Sequence, residues 1–169
     1  MDPVSRYGVK EQEIARDELD ARLQELDLSG YTVLESGFSG DQLNDLRERL
    51  ERLLGEQEAR YGGAEALRSI GEANTLRAPL LLDDAFLAVA THPQLIELCR
   101  RALGEYFIIN QQNGVRNPPA EAGHRQTSYH RDLPYQHFVS SRPLALNALL
   151  CLDAFTPENG STRVLPGSH

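Results

Sequence analysis

The chain has 169 residues, 40% hydrophobic and 25% charged, with a formal charge of −8. That length fits one domain with a sizeable core, and the composition is that of an ordinary globular protein. The acidic balance argues against nucleic acid or an anionic membrane as partner, since both attract basic surfaces, and no apolar run approaches the roughly 20 residues needed to span a bilayer.

Met1 to Glu13 is polar and charged and lacks the apolar stretch of a signal peptide, so a cytoplasmic location is expected. From Gln12 to Leu26 the pattern is helical, with Leu19, Leu23 and Leu26 on one face and Gly30 as the stop. Tyr31 to Leu34 is a short β-prone run. Ser39 reads as an N-cap with Gln42 at the capping-box position. The helix behind it carries Leu43, Leu46, Leu50, Leu53 and Leu54 at steps of three and four, and is expected to end near Gly55 or Gln57.

Tyr61 to Ala78 reads as loop with a short helix. Asp83 or Asp84 is expected to cap a turn of helix through Val89. Thr91 and Pro93 open another helix, which buries Leu95, Leu98, Cys99 and Ala102 and stops at Gly104.

After Gly104 the character turns to β. Tyr106 to Asn110 reads as a strand that extends towards Val115. Asn117 to Gly123 reads as a loop, and Tyr129 to Asp132 as extended until Pro134 interrupts it. Leu144 to Phe155 suits a central strand buried on both faces. Pro157 to Gly160 is a turn, Ser161 to Leu165 a returning strand, and Pro166-Gly167 its end. Helices first and strands second predict an α+β fold, with helices packed on a β-sandwich.

Cys99 and Cys151 sit among apolar neighbours and read as buried free thiols. Arg116, Arg125, Arg131 and Arg142 concentrate basic charge in one segment. They read as solvated surface, since charge runs are usually exposed, with an anionic small molecule as the alternative.

His130-Arg131-Asp132 bears most directly on chemistry. Side chains alternate along an extended segment, so an imidazole and a carboxylate two positions apart point to one side. That supplies two of the three ligands of the facial triad found in non-haem Fe(II) oxygenases. Taken alone the pair is a weak signal, and a surface turn before Pro134 explains it better.

Three stretches change those odds. Gly30 to Leu34 with the leucine-rich helix from Asp41 to Leu54 resembles the first strand and core helix of the phytanoyl-CoA dioxygenase (PhyH) family of Fe(II)/2-oxoglutarate oxygenases. Tyr129 to Asp132 resembles that family's iron-binding strand. Asp153 to His169, reading DAFTPENGSTRVLPGSH, is similar to its most recognisable local pattern. The resemblance implies a double-stranded β-helix, a jelly-roll fold with helices supporting one sheet. It also implies Fe(II) and 2-oxoglutarate as cofactors, O2 as a reactant, and hydroxylation of a small organic substrate coupled to decarboxylation of the 2-oxoglutarate.

By the same resemblance His130 and Asp132 are metal ligands, and Gln126 or Thr127 contacts the co-substrate. Thr162 matches a threonine that faces 2-oxoglutarate in some relatives, and fits equally as a sheet-face threonine. Asn147, a polar residue in an apolar run, lines the site or makes a structural hydrogen bond. Gln111 and Asn113 are candidates for the substrate side of the same cavity.

His92 fits a helix start, while His124 and His137 read as loop residues. In the family the histidine of the Pro-Gly-Ser-His pattern ends a strand and does not bind metal, so His169 is not expected to be the third ligand. The distal histidine and the arginine that binds the far carboxylate of 2-oxoglutarate are not found by His169. The expectation is therefore an oxygenase core shortened at its C-terminus, binding metal poorly and prone to dimerise through uncovered sheet faces. The rival expectation is a non-catalytic binding protein on the same scaffold.

Overall fold

The computed structural model describes residues 14–117, 128–132, 140 and 142–169. The chain divides into two compact units, Met1–Leu34 with Pro166–His169, and Glu35–Leu165. The architecture combines helices with one small sheet.

The first unit holds α1 (Glu18–Ser29). Asp17 caps it, its carboxylate accepting the Asp20 N–H at 2.8 Å. That cap sets the helix start later than the expected Gln12; residues 12 and 13 lie outside the described residues. Gly30 adopts a left-handed φ of 79° and returns its N–H to the Leu26 carbonyl at 2.8 Å, so the expected stop holds. Leu19, Leu23 and Leu26 are half-buried. The Gly167 N–H donates to the Ser29 carbonyl at 2.8 Å, and the His169 ring lies against Gly30, where a Cβ would meet it at 2.5–2.7 Å. Tyr31 to Leu34 does not form the expected strand. β-propensity needs a neighbour to take the ladder hydrogen bonds, and here the Thr32 hydroxyl bonds instead to the Glu25 carboxylate.

The second unit is organised by α2 (Gly40–Arg60). The Ser39–Gln42 capping box is present in both directions: Gln42 Oε1 accepts the Ser39 N–H at 2.8 Å, and Ser39 Oγ accepts the Gln42 N–H at 3.3 Å. Leu46, Leu50, Leu53 and Leu54 form its buried stripe. The helix runs past Gly55 because an interior glycine costs only about 1 kcal/mol, less than the stripe and its anchors supply. Beyond Gly55, Gln57 Nε2 donates to the Thr75 carbonyl at 2.8 Å and Glu58 pairs with Arg116 at 2.9 Å.

α3 (Ala64–Ser69) follows, then β1 (Thr75–Arg77), a strand the sequence reading took for loop. β1 pairs antiparallel with β2 (Asn113–Val115) in the register Thr75↔Val115, Leu76↔Gly114 and Arg77↔Asn113. The pairing continues irregularly at both ends, Arg116 N–H to the Asn74 carbonyl and Ala78 N–H to the Gln112 carbonyl, each at 2.9 Å. A 3-10 turn at Pro79–Leu81 leads to α4 (Asp84–Ala90), capped by Asp83 as expected. α5 (Pro93–Leu103) starts behind His92, whose ring packs on Phe38 at 5.5 Å between centroids, and stops at Gly104. Of its expected buried face only Leu98 is fully buried; Leu95, Cys99 and Ala102 are half-buried.

Leu46, Leu50, Leu53, Leu54, Leu76 and Phe86 make one core, with Leu150 and Leu152 packed at its edge. Gln112 locks the ribbon to this core. Its Oε1 accepts the Leu80 N–H at 3.0 Å and its Nε2 donates to the Phe86 carbonyl at 2.9 Å. Arg116, read from sequence as solvated surface or an anion contact, instead bonds Asn74, Glu51 and Glu58, so its charge serves the fold.

Several expected strands are absent among the described residues. Tyr106 to Asn110 is irregular, with Tyr106 88% exposed. Leu144 to Phe155 is irregular as well, with Leu149 64% exposed and Cys151 exposed instead of buried. Ser161 to Leu165 forms no strand, while the turns at Pro157 to Gly160 and Pro166-Gly167 are present. Apolar composition permits a strand, but only a partner's N–H and C=O groups make one, and no described segment supplies them to these runs.

Candidate metal centre

His130 and Asp132 lie on an irregular stretch of residues 128–132, where their side chains approach each other. His130 Nε2 stands 3.7 Å from Asp132 Oδ1. His130 Nδ1 lies 2.9 Å from the Ser128 carbonyl. A carbonyl only accepts, so Nδ1 is the nitrogen placed to donate to Ser128, and Nε2 is the nitrogen turned towards the carboxylate. This matches the usual arrangement of a metal-binding histidine, in which the second ring nitrogen donates to a fixed acceptor. Both side chains are open to solvent, at 49% and 61% exposure.

Asn147 joins them from across the chain. Its Nδ2 donates to Asp132 Oδ2 at 2.7 Å. The two carboxylate oxygens are thus differentiated: Oδ1 faces the imidazole and Oδ2 is held by an amide. Sequence reasoning marked Asn147 as a polar residue needing a partner, but not which partner. The Ser128 carbonyl was missed altogether, since a backbone acceptor leaves no signature in residue type.

The other candidates stand elsewhere. Gln126 and Thr127 lie outside the described residues, as do Arg125, His124 and His137. Thr162 is exposed on the segment between the two turns, and Gln111 is exposed just before β2. Asn113 is on β2, where its Oδ1 accepts from Arg77 Nη1 at 3.4 Å. Among the described residues no group of three or more His, Cys, Asp or Glu side chains is placed to hold a metal ion. The pair therefore offers two donors of the right chemistry, an imidazole nitrogen and a carboxylate oxygen, for a metal that prefers mixed N/O ligation.

In the first unit a cavity of about 380 Å³ is lined by Arg22, Glu25, Ser29, Tyr31, Thr32 and Val33. Arg22 pairs there with Glu25 at 3.1 Å and with Glu18 at 3.5 Å, which offsets its charge towards an anionic ligand. The Thr32 hydroxyl, then Arg22, holds the Glu25 carboxyl below its ordinary range. No helix among the described residues is long and apolar enough to cross a membrane.

Comparison with known proteins supplies the family. A family model described as phytanoyl-CoA dioxygenase (PhyH) matches residues 26–169. An uncharacterised protein of Mycobacterium bovis is 30% identical over 159 residues, covering 89% of this chain and 56% of its own length. An ectoine dioxygenase of Sphingopyxis alaskensis is 28% identical over 148 residues, covering 85% of this chain and 47% of that protein. An iron/alpha-ketoglutarate-dependent dioxygenase of Aspergillus calidoustus is 35% identical over 82 residues, 46% of this chain and 27% of its own. The chain thus spans about half the length of the first two of these relatives. No solved structure matches it significantly. With the match running from α1 through the His130–Asp132 pair to the final Pro-Gly-Ser-His, the chain belongs to the phytanoyl-CoA dioxygenase (PhyH) family.

Proposed function

We propose that the protein is an Fe(II)/2-oxoglutarate-dependent dioxygenase that hydroxylates a small organic substrate, with His130 and Asp132 as two of its metal ligands. The observation that carries this reading is the geometry of the pair: His130 Nε2 stands 3.7 Å from Asp132 Oδ1 while Nδ1 is held at the Ser128 carbonyl, 2.9 Å away. Family membership and the likeness to dioxygenase relatives support it independently.

Bound Fe(II) supplies the activation of O2 and of the co-substrate. The chain's own part is to present one imidazole and one carboxylate from the same short segment. The reading requires a third protein ligand, a second histidine, and an arginine for the far carboxylate of 2-oxoglutarate. It also carries a fold, a double-stranded β-helix built from the region after Gly104, and co-substrate contacts at Gln126 or Thr127 and at Thr162. Gln111 and Asn113 remain the proposed substrate contacts.

Anaerobic titration of the full-length protein with Fe(II) and 2-oxoglutarate tests the reading through the metal-to-ligand absorption band. A saturable band that disappears in His130→Ala and in Asp132→Ala is expected. A full-length protein with no band, or one whose band survives both substitutions, sinks it.

A further inference from the structure

We propose that Asn147 is a positioning residue for the metal centre: it holds Asp132 to ligation through a single oxygen by occupying the other. The inference rests on the reading of His130 and Asp132 as metal ligands and adds to it how the carboxylate is aimed.

The argument starts from what an unassisted Asp132 would do. Its side chain is 61% exposed on an irregular segment, so packing among the described residues does not select one rotamer. Such a carboxylate binds a metal through either oxygen or through both. A facial triad must keep its opposite positions open for co-substrate and O2, and a second carboxylate oxygen on the metal would take one of them. The Asn147 amide removes that freedom. It donates to Oδ2 at 2.7 Å, a charge-assisted distance, and leaves Oδ1 alone beside His130 Nε2. The order of the carboxylate is thus set before any metal arrives, which spares the binding step that loss of freedom.

The placement of Asn147 fits the role. It interrupts the apolar run Leu144 to Phe155 with an amide, yet it is itself exposed, so the core does not depend on it. Ser128 and Asn147 act as a matched pair of supports. One fixes the imidazole through Nδ1 and the other fixes the carboxylate through Oδ2, from opposite ends of the chain segment. Partners of this kind, hydrogen-bonded to a ligand and not to the metal, typically change metal affinity by about 10–100-fold when removed.

The test is a titration with Mn(II) alone, followed by the loss of the free-ion paramagnetic resonance signal, on the full-length protein and its variants. Asn147→Ala is expected to weaken Mn(II) binding by about tenfold or more while the thermal unfolding midpoint stays at the wild-type value. Asn147→Gln, which keeps the amide donor on a longer stem, is expected to recover part of the loss. An Asn147→Ala variant that binds Mn(II) as the wild type does overturns the proposal, while His130→Ala and Asp132→Ala still report on the ligands themselves. A wild-type protein that binds Mn(II) no better than Asp132→Ala overturns the ligand reading and this inference with it.

Discussion

Arg49 of α2 donates from Nη1 to both carboxylate oxygens of Asp83 at 3.1 Å, so the long helix grips the residue that caps α4. Arg52, one turn on, reaches Oδ2 of the same carboxylate at 3.0 Å. Asp83 is 11% exposed and serves two helices at once.

A pH dependence follows. The Ala85 N–H above all, then Arg49 and Arg52, holds the Asp83 carboxyl below its ordinary 3.8. A carboxyl depressed in the folded state contributes stability that is complete above the unfolded value and is lost as pH falls through the folded one. Glu72, depressed by Arg77, and Glu97, depressed by Arg101 and Arg100, act with the same sign. The melting temperature is expected to fall as pH drops below 4.5, where the two glutamates begin to contribute, and further below 3.8, where Asp83 joins them. The fall is expected to be less steep in Asp83→Asn, which keeps a capping side chain but has no charge to lose. Thermal melts across the acid range measure this; identical slopes in the two proteins would contradict it.

Core truncation should separate two leucines that composition alone treats alike. Leu54 is 1% exposed in the core and Leu149 is 64% exposed. Leu54→Ala is expected to cost about 2–5 kcal/mol and Leu149→Ala less than about 0.5 kcal/mol, by chemical denaturation. Equal losses would place Leu149 in a packed environment.

Gly114 sits opposite Leu76 in the ribbon, and a Cβ there would collide with Leu50 Cδ1 from α2. Leu50 is itself buried and has little room to turn away. Gly114→Ala is expected to destabilise the protein by about 1–3 kcal/mol, and Leu50→Ala in the same chain to relieve part of that strain. A double-mutant cycle with no coupling would refute the close packing of α2 on β2.

The proposed ligation by Asp132 also predicts the product, because a carboxylate in that ligand position leaves no room there for a halide. Turnover by the protein in chloride buffer is expected to yield hydroxylated product only. Chlorinated product in the mass spectrum would be incompatible with Asp132 as a ligand.

Local signals in the sequence translated well where the physics is local. Ser39 with Gln42, Asp83, Pro93, Gly30 and Gly104 each mark a helix end through hydrogen bonds or dihedrals set within a few residues. The His130–Asp132 approach was legible for the same reason. β1 was not, because Thr75 to Arg77 is short and is a strand only by pairing with residues far along the chain. The reverse error befell Leu144 to Phe155, whose composition suits a strand without supplying its neighbour. Arg116 shows the limit for charges: a basic residue at a loop edge looks solvated until Glu51 and Glu58 are found beside it.

Gln112 has a consequence for which substitutions its site tolerates. Its amide must offer an oxygen to the Leu80 N–H and a nitrogen to the Phe86 carbonyl, in that order along one side chain. Glutamate has the same length and shape but two oxygens, so one of them would face the Phe86 oxygen with no hydrogen between. Lysine would satisfy Phe86 and leave the Leu80 N–H without an acceptor. The exchange of a single nitrogen for oxygen at a half-buried residue, invisible to any measure of size or hydropathy, would set the ribbon against the helix it now anchors. Position 112 therefore discriminates by the polarity of one functional group, and tolerance to mutation there should be narrower than in the apolar core, where volume is the main constraint.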